Sequence, residues 1–237
     1  MELVRYDYSH DAVALVGWLA LPEGEGPHPA VMVMYDARGQ GEQVRERARR
    51  LAALGYVAHV TDIYGDGRVH AMSSQCVDDL NRIHATPDVL RERVLINYRA
   101  LAARPEVDAS RIAAIGFCFG GECVLELARS GADVKAVVSY HGLLTTAKPA
   151  EPGAVKAHIA VYTGAKDPYA PLEHVDVLVA EMAAAGAVLD VTVFGNALHA
   201  FTDKDEGSHD VPGTAYDAVA DSVSWAGTIA LLQEKLS

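Results

Sequence analysis

Apolar residues in this chain gather in short continuous runs, and between the runs lie stretches in which apolar positions recur every three or four residues. The runs predict strands at 12–19, 30–35, 56–61, 112–115, 134–140, 158–163 and 188–194, and the periodic stretches predict helices at 43–54, 87–103, 119–130, 172–185 and 214–235. Several runs are apolar without alternation, the pattern of strands covered on both faces of a parallel sheet. The expected fold class is therefore α/β, a mostly parallel, doubly wound sheet with helices on both faces. The Gly- and Pro-rich piece at 24–29 is only a connection, because the apolar pattern resumes at once, so residues 1–237 read as a single domain. Two stretches carry neither period. Residues 64–86 read as an irregular cavity wall that includes Tyr64, Arg68 and Met72, and residues 202–213 read as a solvated loop or a lid.

Composition removes several function classes. With 237 residues, half of them hydrophobic, the chain can bury one sizeable core. Its 32 acidic and 20 basic residues leave a net charge of −12, which argues against nucleic acid and against a membrane as partners. The apolar stretch at 12–21 is broken by Gly17, lacks a basic flank and is too short to span a bilayer, so the expected setting is cytoplasmic. Three cysteines without a Cys-x-x-Cys exclude a disulfide framework or a cysteine zinc site, and free thiols suit a reducing compartment. Gly39-Gln40-Gly41 lacks the third glycine of a dinucleotide turn, and there is no phosphate loop. No cofactor and no metal are expected.

The chemistry concentrates at Gly116-Phe117-Cys118-Phe119-Gly120-Gly121, where an apolar run ends and a helical pattern starts. This reads as a sharp strand-to-helix turn with Cys118 at its apex, the glycines being required because strand and helix crowd the bend. At a helix N-terminus the partial positive charge favours the thiolate, the nucleophilic form. The bland alternative makes Cys118 a small buried hydrophobe. Function in such sheets collects past the carboxyl ends of strands. There Asp167 follows the run at 158–163, and His199 follows the run at 188–194. The order Cys118, Asp167, His199 is nucleophile, acid, base, as in α/β-hydrolases. Histidine would move the thiol proton, and the carboxylate would fix the imidazole tautomer. The bland alternatives make Asp167 a turn-former or helix cap and His199 a surface histidine, and His141 at a strand end is a second-choice base. Main-chain N–H groups of Phe119 and Ala37 are the expected oxyanion donors.

Together with Gly55-Tyr56-Val57-Ala58 leading to Asp62-Ile63-Tyr64-Gly65, Gly164-x-x-Asp167 and His199-Ala200-Phe201, the cysteine elbow makes the chain resemble the dienelactone hydrolase family over nearly its full length. The resemblance implies an α/β-hydrolase fold, a Cys118–Asp167–His199 triad and hydrolysis of an ester or enol-lactone, a small-molecule substrate, through a thioester. It also implies a carboxylate near the resting thiol. Here that carboxylate is Asp36, one methylene shorter than the family's glutamate. Asp203 stands where the best-known members carry an arginine for the substrate carboxylate, so Arg38, Arg68 and Arg82 become substitutes, with Tyr64 and Phe201 as further substrate-binding candidates. The expected assembly is a monomer or small homo-oligomer. Two other readings use the same elbow, a thiol redox sensor and a catalytically silent binding protein on a hydrolase scaffold.

Overall fold

The computed structural model describes residues 2–205 and 211–237. One eight-stranded sheet runs in the order β1-β2-β4-β3-β5-β6-β7-β8. Its strands are β1 (Val4–His10), β2 (Val13–Ala20), β3 (His28–Met34), β4 (Val57–Val60), β5 (Val107–Phe117), β6 (Ala136–Tyr140), β7 (His158–Gly164) and β8 (Val188–Phe194). β1 and β2 pair antiparallel, and β2 meets β4 antiparallel. Every pairing from β4 through β3 to β8 is parallel. The unalternated runs fall on β4, on β6 and on the ends of β3 and β5, all buried, as a doubly covered parallel sheet requires.

Among the described residues six helices cover the sheet: α1 (Glu42–Ala52), α2 (Ser74–His84), α3 (Pro87–Ala102), α4 (Phe119–Arg129), α5 (Leu172–Ala184) and α6 (Ala218–Leu236). Arg47 of α1 bonds Asp221 of α6 at 2.6 Å and lies over the Trp225 ring, joining these two helices on one face. On the other face Arg91 of α3 reaches Glu126 of α4, and Arg129 of α4 reaches Glu181 of α5 at 2.8 Å. No helix among the described residues is long and apolar enough to cross a membrane.

Three elements depart from the expectation. The first is β1, missing from the sequence reading; its inward positions are Tyr6, Tyr8 and His10, aromatic rather than aliphatic. The second is α2, which occupies the middle of the supposedly irregular 64–86 stretch. Its buried stripe of Cys76, Asp79 and Ile83 contains a carboxylate, and that breaks the apolar period. The third is α6, which begins at Ala218 rather than 214 because residues just before it serve the loop of His199. The His199 N–H donates to the Gly213 carbonyl (3.1 Å), and the Ala215 N–H donates to the His199 carbonyl (3.1 Å). The helix is then capped by the Asp217 carboxylate, which accepts from the Val219 and Ala220 N–H groups.

His59 of β4 is fully buried against Tyr6 and Tyr8, with both ring nitrogens unpartnered. Burial, reinforced by nearby Arg104, pushes its pKa down to about 3. An unfolded chain binds that proton near the ordinary value of about 6.5. His59 therefore contributes full stability above pH 6.5 and loses it as pH falls toward 3. Between pH 7.5 and 5.0 we expect a loss of about 2 kcal/mol in urea-unfolding free energy from this group. His59→Leu should remove that share of the slope and leave the part carried by His141, whose pKa burial also lowers. An unchanged slope in His59→Leu would refute the assignment.

Candidate active site

The loops after β3, β5, β6, β7 and β8 all open at the carboxyl edge of the sheet, and their side chains line one cavity of about 320 Å³. Cys118 sits between β5 and α4 with φ 53° and ψ −115°, a strained conformation held by crowding on both sides. A Cβ on Gly116 would lie 1.9 Å from the Gly120 carbonyl oxygen, and one on Gly120 would lie 2.3 Å from the Met34 carbonyl oxygen. β3, β5 and α4 therefore approach as only glycine permits. The helix ladder starts with the N–H groups of Gly121 and Glu122, both donating to the Cys118 carbonyl. The Phe119 N–H lies ahead of that ladder, one of the orphan donors of a helix start.

Asp167 is buried in the turn after β7. Its Oδ1 accepts from the N–H groups of Tyr169 (2.8 Å) and Ala170 (3.1 Å), while its Oδ2 is 2.8 Å from His199 Nδ1. The turn-forming and imidazole-orienting readings thus describe two oxygens of one carboxylate. The other side of the His199 ring interacts with Cys118. Burial works against the charged imidazolium, but the Cys118 charge, the hydrogen bonds to Asp167 and Cys118, and the Asp167 charge outweigh it and push His199 up to about 10. Asp167 and Cys118 together therefore favour the charged form of the ring.

His141 does different work. Its Nδ1 accepts from the Cys118 N–H (3.1 Å) and its Nε2 lies 2.9 Å from Thr202 Oγ1, so in the neutral ring both nitrogens are occupied. Burial first, then the neighbouring His199, lowers its pKa well below the usual range. It holds the elbow and has no lone pair left for a base. The signal was its position at the end of an apolar strand run, where a second loop enters the site.

The other candidates divide. Ala37, Asp36 and Arg38 line the cavity, as do Phe119 and Asp203. The Asp36 carboxylate is engaged by the Arg38 N–H (2.8 Å) and guanidinium, rather than standing alone beside the thiol. Four expected substrate contacts do not line the cavity. Arg68 and Arg82 turn to Asp79 (3.0 and 2.6 Å), which also binds His70 (2.8 Å), and these bonds tie the 65–73 loop to α2. Tyr64 lies behind Phe119, stacked at 5.4 Å, with its hydroxyl donating to the Ala37 carbonyl (3.1 Å). Phe201 is buried against His141 at 4.9 Å. Met72, read from the sequence as a wall residue, lines the cavity, whereas sequence reasoning missed the rest of this roof, Val77, Leu80 and His84 of α2. The 202–213 stretch contributes Asp203 and Val211, and residues 206–210 lie outside the described ones.

Because Phe119 would present its main chain to the reaction and its ring to the cavity, Phe119→Ala is expected to change KM and substrate ranking while leaving kcat within about tenfold. Removing so buried a ring also costs about 3–5 kcal/mol of stability, visible in thermal melting. Loss of turnover as severe as that of a nucleophile deletion would contradict this division.

A parallel sheet with the cysteine elbow, the acid turn and the histidine loop at its carboxyl edge defines the α/β-hydrolase class. The chain belongs to the dienelactone hydrolase family, whose sequence pattern matches residues 15–236. It is 30% identical over 202 residues, 79% of this chain and 74% of the other, to a Yersinia pestis protein provisionally named a carboxymethylenebutenolidase. A Bradyrhizobium protein provisionally named 2-oxo-3-(5-oxofuran-2-ylidene)propanoate lactonase shares 26% over 241 residues, 96% of this chain and 92% of that one. The crystal structure of a dienelactone hydrolase-like promiscuous phosphotriesterase from metagenomic libraries superposes with a TM-score of 0.94 at 37% identity, covering 100% of this chain and 99% of that one.

Proposed function

We propose that this hydrolase cleaves a carboxylic ester or lactone through a thioester on Cys118, in a cytoplasmic setting that keeps the thiol reduced. The observation that carries the reading is His199, bonded to Asp167 on one side and paired with Cys118 on the other. His199 takes the thiol proton as the sulfur becomes the nucleophile. The sulfur attacks the carbonyl carbon, and the developing oxyanion is met by the N–H groups of Phe119 and Ala37, each such donor contributing about 3 kcal/mol. The tetrahedral intermediate collapses as His199 gives its proton to the leaving oxygen. Water then attacks the thioester carbonyl while the neutral imidazole takes its proton, and carbon–sulfur cleavage releases the acid product as His199 returns that proton to the sulfur. Asp167 keeps the tautomer and balances the imidazolium throughout.

Each step uses a side chain or main-chain group of this chain. A redox sensor or a silent binding protein would need the thiol or the cavity, but neither would need Asp167 bonded to His199. The test is intact mass of reduced protein quenched within seconds of mixing with activated esters and lactones. An acyl adduct on Cys118 that decays at the turnover rate supports the reading. Turnover without any Cys118 adduct in Cys118→Ala and wild type alike, or adduct-free protein with no turnover, overturns it.

A further inference from the structure

The charges around the cavity are arranged around Arg38. Its Nη2 is paired with Asp36 and lies 2.5 Å from Asp203 Oδ2, and its Nε lies 3.1 and 3.2 Å from the two Asp36 oxygens. All three side chains are mostly buried, 17% exposed for Arg38, 15% for Asp36 and 5% for Asp203. His84, the other cationic candidate on the wall, is held from behind by Glu122 Oε2 at 2.8 Å. The His199 proton is matched by Cys118 and Asp167. The Arg38 guanidinium at the cavity wall is therefore engaged by two carboxylates. The rest of the lining is largely apolar and includes Met72, Val77, Leu80, Phe119 and Leu143.

We propose that this cavity selects uncharged esters or lactones with an apolar acyl portion, and that Asp203 is the specificity-determining residue that turns carboxylate-bearing ones away. An anionic substrate would meet a guanidinium already flanked by two carboxylates, in a half-buried setting where a like charge is poorly screened. A neutral chain meets only the apolar roof. The inference rests on Cys118 ester hydrolysis and refines it.

The test compares three matched substrates, corrected for spontaneous hydrolysis: para-nitrophenyl pentanoate, mono-para-nitrophenyl glutarate and the para-nitrophenyl ester of trimethylammonio-butanoate. In wild type, kcat/KM for the neutral ester should exceed that for the carboxylate by about tenfold or more, with the cationic ester also above the carboxylate. Asp203→Asn keeps shape and removes one negative charge, so it should narrow the neutral-to-anionic ratio by about tenfold, through KM for the anion. Equal or better turnover of the glutarate by wild type overturns the proposal, as does a folded Asp203→Asn with an unmoved ratio. Should that variant not fold, the wild-type order of cation over anion decides alone. Turnover that vanishes in Cys118→Ala alongside a flat ratio defeats only the selectivity; turnover of all three esters surviving Cys118→Ala defeats the hydrolytic reading beneath it.

Discussion

Cys118→Ala and His199→Ala are each expected to lower kcat/KM by about 10⁴ or more, and the double variant by little beyond either single one. Members of a proton-transfer unit fail together, since a thiol without its base and a base without its thiol both leave only binding and oxyanion donors. Asp167→Asn should cost less at the chemical step than loss of the nucleophile. It removes the charge that balances the imidazolium, but the turn N–H bonds of its Oδ1 can be kept by the amide oxygen. The pH profile adds an independent reading. With His199 raised to about 10 in the free enzyme, kcat/KM should fall on the alkaline side as the ring loses its proton near that value, whereas kcat should fall on the acid side, because the acyl-enzyme lacks the Cys118 charge and its water step needs the neutral imidazole. Cys118→Ser removes the strongest of the influences that raise it, so an NMR titration of His199 should move downward in that variant. Near-wild-type turnover by either alanine variant, or an unmoved His199 titration, would contradict the coupling of Cys118 to His199.

Gly116→Ala is expected to be the most damaging single methyl in the chain. The added carbon would sit 1.9 Å from the Gly120 carbonyl oxygen, 2.3 Å from its carbon and 2.9 Å from the Gly121 nitrogen, all backbone atoms that cannot swing aside. Relief requires α4 to withdraw from β5, opening the core and moving Cys118 together. We expect a loss beyond about 4 kcal/mol, seen as failure to fold or a melting temperature lower by well over 10 °C. Gly195→Ala is the internal control. A Cβ there meets nothing within 4 Å. Its change should stay within about 1 kcal/mol. Equal melting of the two variants would remove the steric account of the elbow.

Much of this arrangement was readable because parallel strands advertise themselves. Buried on both faces, β3 to β7 leave unbroken apolar runs, and the residues just past them had to converge at one edge. Cys118, Asp167 and His199 could therefore be found as a set without knowing any distance. Legibility failed where a polar group faces inward. Asp79 sits in the buried stripe of α2 because it gathers Arg68, His70 and Arg82, and a carboxylate there hides the helix from any apolar period. β1 was hidden by its aromatic inner row. The fates of Arg38, Arg68 and Arg82 depend on which acid each one finds across the fold, and no local pattern encodes that choice.

The bonds at Asp79 also separate two inheritances. The thiol, acid and base hang from the ends of β5, β7 and β8, whereas the α2 part of the roof is a single continuous segment between β4 and α3, gathered by the Asp79 carboxylate and joined to the 37–40 loop by the His70 N–H, the Arg68 carbonyl and the Cys76 thiol. The roof is thus a cassette. Exchanging residues 65–84 for the same stretch of a relative would change the apolar side of recognition while leaving Cys118, Asp167, His199 and Asp203 in place, so the scaffold can vary the acyl portion it accepts through one contiguous length of chain.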